Sequence, residues 1–232
     1  MTKYLFELPP VAAVPVRGTD LLYQIRRIFC VGRNYEAHAK EMGVVADREA
    51  PFYFTKAPIH FAPTGATLAY PPGTSNYHYE MELVIAMGAP AFQIKSADAW
   101  ASIFGYACGL DMTRRDLQLK ARDSGRPWDL GKDFEDSAVL APIVRADEVG
   151  RMTRGKIELK VNGVSRQSSD LSLLIHPVPS IIADLSRFYH LLPGDLIYTG
   201  TPEGVGAVTS GDRLEGSIEG LESIQALISP SS

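Results

Sequence analysis

Short apolar runs, most of them closed by Gly, Pro, Asn or Asp, dominate the chain from about residue 28 onward. The runs are IFCV, PFYF, the stretch from His78 to Met87, GYACGLDM, SAVLAPI, KIELKV, DLIYTG, RLEGSI and ESIQALI. Runs of this length between turn-forming residues are typical of β-strands. The pattern therefore predicts a strand-rich protein.

Helical periodicity is confined to four short segments, which run from 35 to 42, 97 to 104, 114 to 122 and 180 to 191. Asn162 and Gly163 separate two strand-like runs, and both residue types tolerate the positive φ that a two-residue hairpin turn requires. Glu219 and Gly220 offer a second turn near the C-terminus. Because strands and helices do not alternate regularly, the chain is predicted to adopt a mainly β, α+β fold rather than a doubly wound fold.

The composition of the 232 residues, 45% hydrophobic and 22% charged, is typical of a soluble globular protein with one principal domain. A net charge of -4 provides no basic surface for nucleic acid. No apolar run reaches the roughly 18 residues of a membrane span. Glu7 and several prolines interrupt the apolar residues at the N-terminus, which argues against a signal peptide.

Residues 1–26 are Pro-rich and poorly periodic, which predicts an N-terminal arm laid over a main body formed by residues 27–232. Cys30 and Cys108 are the only cysteines, and their separation fits neither a metal site nor a redox motif. We interpret them as buried thiols in a reducing compartment, so a cytoplasmic protein is expected.

The stretch NYHYEMELVIAMG brings two carboxylates close together. In a strand, alternation places His78, Glu80 and Glu82 on one face, with the Cα atoms of the two glutamates roughly 7 Å apart. Such carboxylates repel each other unless a cation lies between them, and an all-oxygen donor set suits Mg²⁺ or Mn²⁺, with Ca²⁺ also compatible, better than zinc. Two alternatives stay open: glutamates that face water on an amphipathic strand, and a His78 that packs or supports rather than binding metal.

Asp111, at the end of the run GYACGLDM, offers a third carboxylate where a strand stops and a helix begins. Thr113 and Asp116 have the spacing of a capping box, with Thr113 at the N-cap, which favours a structural role for Asp116. Asp111 then lies just outside a helix N-terminus, whose dipole favours a carboxylate, its own or that of a substrate. An ordinary turn residue is the alternative.

The segment GRNYEAHAKEMG predicts one short helix with Asn34 at the N-cap and Gly43 past the C-terminal end. His38 and Glu41 are three residues apart, so they share a helix face. A carboxylate beside an imidazole raises its basicity and fixes its orientation, which suits the activation of water. The alternative is a surface His–Glu contact without function.

Four further polar residues are candidates for chemistry: Lys56, Gln118, Lys132 and Thr201. A single lysine is usually a solvated surface charge. Thr201 lies in TGTPEGVG, which matches neither a P-loop nor GxGxxG, although its glycines would allow a backbone-lined anion site.

Together and in this order, the motifs resemble the fumarylacetoacetate hydrolase superfamily from about Arg27 to the C-terminus. They are VGRNYEAHAKEMG, FTKAP, YHYEMELVIAMG, GYACGLDMTRRDLQ, RPWDLGKDFEDSAVLAP, KVNGVSRQ and LIYTGTPEGVG. The resemblance implies a mixed β-roll of the type formed by the C-terminal domain of that family, and a homodimer. It is strongest with bacterial single-domain members of gentisate degradation, a part of aromatic catabolism. A hydrolase that cleaves a C–C bond in a 2,4-dioxo acid, fumarylpyruvate first among them, is therefore expected.

The resemblance also implies roles for individual residues. Glu80, Glu82 and Asp111 would hold a divalent metal that acts as a Lewis acid, while His38, supported by Glu41, would activate water. Relatives often carry His-His-Glu where this chain has His78-Tyr79-Glu80, but alternation sends the tyrosine to the opposite face.

Lys132 would lie near the metal, offset the carboxylate charge and stabilise a developing oxyanion. The expected substrate contacts are Lys56, Gln118 and Thr201, with Arg33 and Arg115 as candidates for the distal carboxylate of fumarylpyruvate. An acetylpyruvate hydrolase, an oxaloacetate decarboxylase and a ketone isomerase are alternatives that use the same metal. A non-catalytic binding or scaffold protein is disfavoured, because it needs no three-carboxylate site beside a His–Glu pair.

Overall fold

The computed structural model describes residues 5–6, 8–43, 45 and 48–231. The interruption of the N-terminal apolar residues by Glu7 lies outside the described residues. Within them, no helix combines the length and the apolar character needed to cross a membrane.

Eighteen strands are formed by the described residues, and most of the predicted apolar runs lie in them. They are β1 (Ala13–Pro15), β2 (Leu22–Gln24), β3 (Arg27–Gly32), β4 (Phe52–Lys56), β5 (Phe61–Pro63), β6 (Ala66–Ala69), β7 (Tyr77–Tyr79), β8 (Met81–Met87), β9 (Ile103–Asp111), β10 (Thr113–Arg114), β11 (Ala138–Leu140), β12 (Val144–Arg145), β13 (Lys156–Val161), β14 (Val164–Asp170), β15 (Asp195–Tyr198), β16 (Gly206–Ala207), β17 (Arg213–Ile218) and β18 (Ile224–Ser229).

Two mixed sheets form the body. The larger has the order β4-β3-β15-β8-β9-β11-β5, with β12 paired to β9, and the other has the order β14-β13-β17-β18-β6. A three-stranded sheet, β10-β7-β16, and the hairpin β1-β2 complete the strand pairing of the described residues. This mainly β, α+β arrangement confirms the predicted fold class.

The main core lies between the two large sheets. Leu83 and Cys108 of the larger sheet and Leu159 and Ile224 of the smaller one belong to a single buried cluster. A second cluster covers the other face of the larger sheet, where Val14 of β1 packs with the strand residues. Residues of the N-terminal segment therefore pack against the outer face of the larger sheet.

Five α-helices decorate the sheets within the described chain: α1 (Glu36–Glu41), α2 (Arg115–Asp123), α3 (Asp129–Lys132), α4 (Ala146–Val149) and α5 (Val178–Leu185). Three 3₁₀ segments are Pro58–His60, Ser96–Ser102 and Leu171–Leu173. The predicted helices at 35–42 and 114–122 are confirmed. The one at 97–104 is a 3₁₀ segment that passes into β9, and the one at 180–191 starts earlier and ends at Leu185.

The predicted hairpin at Asn162-Gly163 is confirmed. Asn162 and Gly163 have φ values of 52° and 78°, and they join the antiparallel strands β13 and β14. Glu219 and Gly220 lie in the longer loop that joins β17 to β18.

The stretch from His78 to Met87, predicted as one strand, is divided at Glu80. β7 pairs with β10 and β16, whereas β8 pairs with β9 and β15 in the larger sheet. The chain passes from one sheet to the other at Glu80, and this glutamate therefore lies at a junction rather than inside a regular ladder.

The predicted N-cap of α1 is wrong. Tyr35 is the N-cap of α1, and the Asn34 amide instead donates to the carbonyls of His176 (2.9 Å) and Thr199 (2.8 Å). These long-range hydrogen bonds bury Asn34 completely and replace a local cap. Gly43 follows the end of α1 with φ 70°, as predicted.

Candidate metal centre and active site

Three buried carboxylates meet where the sheets join. Glu80 at the β7–β8 junction, Glu82 in β8 and Asp111 at the end of β9 each offer an oxygen, and these oxygens lie within 4.8 Å of one another. The backbone N–H of Asp111 donates to the carbonyl of Glu80 at 2.9 Å, which fixes the relative position of two of the three. The structure thus brings together the three residues expected from the sequence, and none of them faces bulk water on an amphipathic strand.

Lys132, at the end of α3, joins two of these carboxylates. Its ammonium donates to Glu80 Oε2 (2.7 Å), Asp111 Oδ2 (2.8 Å) and Thr113 Oγ1 (2.8 Å). All three hydrogens of the ammonium are therefore engaged by protein oxygens. In this arrangement Lys132 acts on substrate through its charge rather than through a free N–H.

Lys56 lies beneath the cluster. Its Nζ is 2.9 Å from Asp111 Oδ1 and donates to the carbonyls of Met112 and Lys132, and the residue is only 2% exposed. Lys56 is thus a buried counter-ion of Asp111, not a solvated surface charge.

Arg115, the first residue of α2, is also engaged by the protein. Its guanidinium donates to Glu80 Oε1 and to Gln118 Oε1, and its Nε lies 3.4 Å from His78 Nδ1. The donors needed for a substrate carboxylate are thus already bound to side chains of this chain.

His78 is a support for Arg115 and not one of the clustered donors. Its Nε2 donates to Asn76 Oδ1 at 2.8 Å, which leaves Nδ1 as the acceptor for Arg115. Burial and the nearby charge of Arg115 lower the pKa of His78 to about 4, so the ring is neutral at pH 7. The alternative in which His78 packs is the one the structure favours.

The carboxylates differ in their charge states. Burial and then the charges of Asp111 and Glu80 raise the pKa of Glu82 well above its usual range. Burial opposes ionisation of Glu80 as well, but Lys132 and Arg115 outweigh it and keep the pKa of Glu80 below its usual range. Glu82 is therefore the carboxyl that lacks a cationic partner.

One completely buried oxygen of the cluster accepts no hydrogen bond within the described chain. Asp111 Oδ1 is buried, and although Lys56 Nζ lies close by, the contact does not have hydrogen-bond geometry. Buried oxygens without hydrogen bonds are costly, and a cation is a suitable partner for this one. Glu82, which forms no ion pair within the described chain, lies with it where the three donors meet. The donor set fits a hard divalent cation.

The His38–Glu41 pair forms on α1. His38 is buried, and its Nδ1 lies 3.2 Å from Glu41 Oε2. Glu41 in turn accepts the backbone N–H of Gly204 at 3.1 and 3.3 Å. The hydrogen bond from His38 lowers the pKa of Glu41 and outweighs the opposing effect of burial. The carboxylate is therefore ionised at neutral pH. The imidazole is held by an anchored carboxylate, and this is not an incidental surface contact.

The glycine-rich segment TGTPEGVG donates backbone N–H groups to two acidic side chains of this protein. Gly200 donates its N–H to Glu82 Oε2 at 2.7 Å, and Gly204 donates to Glu41. Both glycines have positive φ, and a Cβ at Gly204 would lie 2.0 Å from the carbonyl of Arg166. One loop therefore orients a residue of the carboxylate cluster and the partner of His38.

Gln167 of β14 ties this loop to the junction strand. Its side-chain carbonyl accepts the N–H of Met81 at 3.0 Å, and its amide donates to Thr201 Oγ1 and to the carbonyl of Pro202, both at 2.8 Å. Thr201 donates to the carbonyl of Met81 at 2.9 Å. Gln167 lies in the motif KVNGVSRQ, but its distance along the chain from Met81 hid this role.

A cleft opens over the cluster. Its walls contain most of the residues expected at the site: Arg33, His38, Glu80, Glu82, Arg115, Gln118, Lys132 and Thr201. Asp111, Glu41 and Lys56 do not line it. Asp111 and Lys56 are buried against each other, and Glu41 contacts His38. The predicted substrate contact of Lys56 thus has no counterpart in this geometry.

The capping box predicted after Asp111 is wrong. Arg114 is the N-cap of α2, and Thr113 lies in β10, where its hydroxyl donates to the carbonyl of Asp111 and accepts from Lys132. Asp116 is structural, as predicted, but it binds the Thr74 hydroxyl and the Ser75 N–H instead.

The cleft also contains residues that were not predicted from the sequence, among them Arg122 and Trp128. Arg122 lies four residues after Gln118 on α2, a spacing that places both on one helix face and would have revealed it. Trp128 precedes α3, and its ring approaches those of Phe52 (4.8 Å) and Phe54 (5.9 Å) between centroids. No local sequence pattern signals that contact.

Comparison with known proteins defines the class. The model of the fumarylacetoacetate (FAA) hydrolase C-terminal family matches residues 27–229, so the chain belongs to this family. It is 56% identical over 191 residues to a fumarylpyruvate hydrolase of Ralstonia sp., covering 82% of this chain and 99% of that protein.

Two further relatives extend the comparison. The crystal structure of fumarylpyruvate hydrolase from Pseudomonas aeruginosa in complex with Mn²⁺ and pyruvate is similar with a TM-score of 0.96 and 45% identity, covering 99% of this chain and 100% of that chain. This confirms the predicted β-roll fold. The mitochondrial oxaloacetate tautomerase of Homo sapiens is 39% identical over 199 residues, covering 86% of this chain and 90% of that protein.

Proposed function

We propose that this protein hydrolyses a C–C bond of fumarylpyruvate to give fumarate and pyruvate, with a divalent metal, Mg²⁺ or Mn²⁺. The observation that carries the proposal is the placement of the carboxylate cluster and the His38–Glu41 pair at one cleft. The similarity to two fumarylpyruvate hydrolases supports the choice of substrate.

Glu80, Glu82 and Asp111 would hold the metal. A cation would stabilise two donors most. They are the buried Asp111 Oδ1, which accepts no hydrogen bond, and the Glu82 carboxyl, which has no ion pair within the described chain. When bound, the metal supplies Lewis acidity toward the 2-oxo acid group of the substrate.

The proton transfers fall to His38. Because Nδ1 faces Glu41, Nε2 is the nitrogen free to take a proton from water. The water oxygen forms a bond to the acyl carbonyl carbon, and the bond from that carbon to the methylene group breaks. The electron pair of that bond goes to the methylene carbon, which is protonated to complete pyruvate, while the acyl group leaves as fumarate. Glu41 keeps the imidazole oriented and stabilises its protonated form.

Oxaloacetate tautomerisation is the second candidate. The 39% identity to the human oxaloacetate tautomerase favours it, since that name denotes a different reaction on a 2-oxo acid. Acetylpyruvate hydrolysis and oxaloacetate decarboxylation use the same kind of metal site and belong in the same test.

The experiment is an absorbance assay of fumarylpyruvate loss coupled to pyruvate detection, with and without Mg²⁺ or Mn²⁺. We expect kcat/KM for fumarylpyruvate to exceed that for acetylpyruvate by about tenfold or more, the effect of one charge-assisted contact. Equal values would indicate a general acylpyruvase. Faster turnover of oxaloacetate than of either substrate would overturn the hydrolase proposal.

The proposal also covers the domain organisation, the cellular compartment and the oligomeric state. Residues 27–232 would form the catalytic domain and residues 1–26 an arm, in a cytoplasmic homodimer. Two buried free cysteines suit a reducing compartment, and exposed apolar side chains such as Leu22 and Phe188 offer surface for a second copy. Light scattering at several protein concentrations tests the dimer.

A further inference from the structure

Two other arginines of the cleft wall, Arg33 and Arg122, have guanidinium N–H groups that bind no other described residue. Arg33 makes no hydrogen bond or ion pair with any other described residue, and its guanidinium lies 5.6 Å from the centroid of Trp128 and 5.9 Å from that of Phe52. Arg122 is held by Nε to Asp123 (2.8 Å) and by Nη1 to the carbonyl of Met42 (3.4 Å). Those contacts leave Nη2 of Arg122 for another partner.

The two guanidiniums are near enough to influence each other. Burial first, and then the charge of Arg122, lower the pKa of Arg33. Among the described residues, the carboxylate that pairs with either guanidinium is Asp123, which is 65% exposed and contacts Nε of Arg122. Two like charges on one cleft wall without a shared carboxylate leave a place for an external anion.

The position of Arg33 along the cleft follows from aromatic contacts. The Nζ of Lys132 lies 5.0 Å from the Phe54 ring centroid, the Phe54 and Trp128 centroids are 5.9 Å apart, and Arg33 lies over Trp128. Phe54 and Trp128 thus form a chain of contacts from Lys132, which binds two carboxylates of the cluster, to Arg33. A substrate chelated at the cluster would extend its acyl arm along these two rings.

The backbone of Arg33 supports the same conclusion. Its φ of 59° lies in the left-handed region, which a long side chain rarely adopts. Such strained residues cluster at ligand-binding positions, and here the conformation places an arginine on the cleft wall next to the helix of His38.

We propose that Arg33 and Arg122 form a subsite for the terminal carboxylate of a dicarboxylic acylpyruvate, with Phe54 and Trp128 packing against its unsaturated arm. This inference rests on the proposed function and deepens it. Arg115 is not part of this subsite, because its donors are engaged by Glu80, Gln118 and His78. Arg122 takes part in substrate selection instead. The planar guanidinium fork matches a carboxylate better than an ammonium does.

The first test compares kcat/KM for fumarylpyruvate and acetylpyruvate in the metal-loaded enzyme. Arg122→Gln and Arg33→Asn are the variants, since asparagine tolerates a positive φ. We expect the ratio of fumarylpyruvate to acetylpyruvate kcat/KM to fall by about tenfold in each, chiefly through KM. Arg126→Gln removes an exposed arginine outside the cleft and should leave the ratio unchanged. An unaltered ratio in both cleft variants overturns the subsite while leaving the hydrolase proposal intact.

The second test does not depend on turnover. Calorimetry would compare binding of fumarate, a dianion, and crotonate, which lacks the second carboxylate, to the metal-loaded protein. Arg122→Gln and Arg33→Asn should weaken fumarate binding by about tenfold relative to crotonate, whereas Arg126→Gln should not. If the wild type hydrolyses neither acylpyruvate but shows this pattern, the proposed reaction fails and the subsite stands. Equal weakening for both ligands refutes the subsite, with melting curves checking that the variants fold.

Discussion

Lys132 donates a 2.8 Å hydrogen bond to Asp111 Oδ2, although both side chains are almost completely buried. Together with Lys56 and Arg115, it gives the site three cations for its three carboxylates. A divalent metal therefore adds a net positive charge to a cluster that is otherwise balanced. That surplus complements a substrate with two carboxylates, one beside the 2-oxo group and one at the far end of the acyl arm.

Removal of the metal is expected to abolish hydrolysis, and Mg²⁺ or Mn²⁺ should restore it, because the donors are hard oxygens. Glu82→Gln should lower metal affinity with the fold retained, since Gly200 still has an acceptor and one ligand charge is lost. Calorimetry of metal binding and circular dichroism measure the two effects. Full activity of metal-stripped protein would contradict the prediction.

The same metal should also stabilise the protein. A ligand that binds only the folded state raises the free energy of unfolding by about 2.7 kcal/mol at a hundred times its dissociation constant. Differential scanning calorimetry with and without Mn²⁺ should therefore show a higher Tm for the wild type and a smaller shift for Glu82→Gln. Equal shifts for the two proteins would argue against Glu82 as a ligand.

His38→Ala and Glu41→Gln should leave metal affinity unchanged and lower turnover of fumarylpyruvate by about 10²-fold or more, the usual scale for a lost general base. Glu36→Gln, an exposed carboxylate on the same helix, is the control. If activity toward oxaloacetate survives in the two variants while hydrolysis is lost, the pair is the water-activating device. Survival of both activities would show that the pair is not needed.

The strand-rich fold and the carboxylates were predictable because their signals are local. The alternation around Glu80 and Glu82 and the three-residue spacing of His38 and Glu41 are visible in short windows of sequence. Asp111 at the end of an apolar run is a signal of the same kind. The structure places these residues where the motifs imply.

The errors have a common physical origin in tertiary hydrogen bonds. Asn34 and Thr113 are suitable caps by sequence, but distant carbonyls and the Lys132 ammonium use their side chains instead. Lys56 was expected near the substrate, but its ammonium contacts Asp111. No local sequence pattern reveals that contact. Gln167 acts across 86 residues on Met81, a relationship that single-sequence patterns do not contain.

Lys56→Met separates a structural role from a substrate-binding one. The change leaves Asp111 with one cation fewer in a buried setting, so the free energy of unfolding of the metal-free protein should fall by about 3 kcal/mol or more. Urea denaturation measures it, and Lys120→Met, at an exposed position of α2, is the control. A higher KM with unchanged stability would instead support the substrate contact expected from the sequence.

Gly131→Ala tests how closely α3 must pack on α2. An alanine Cβ would lie 2.7 Å from the backbone nitrogen of Gln118 and 2.8 Å from its Cα, and backbone atoms cannot rotate away. In an open helix the same change would stabilise the protein by roughly 0.5–1 kcal/mol. Here we expect the opposite sign, a loss of about 1–3 kcal/mol typical of overpacking.

Activity should fall with stability, because the next residue, Lys132, carries its ammonium to Glu80 and Asp111, and Gln118 lines the cleft. Moving α3 away from α2 would shift both, and misplacement by about 1 Å costs on the order of 10²-fold in rate. Leu130→Ala, on the exposed side of the same helix, should change neither the Tm nor kcat/KM appreciably. A Gly131→Ala protein with a raised Tm and full activity would show that the contact between α3 and α2 accommodates a methyl group.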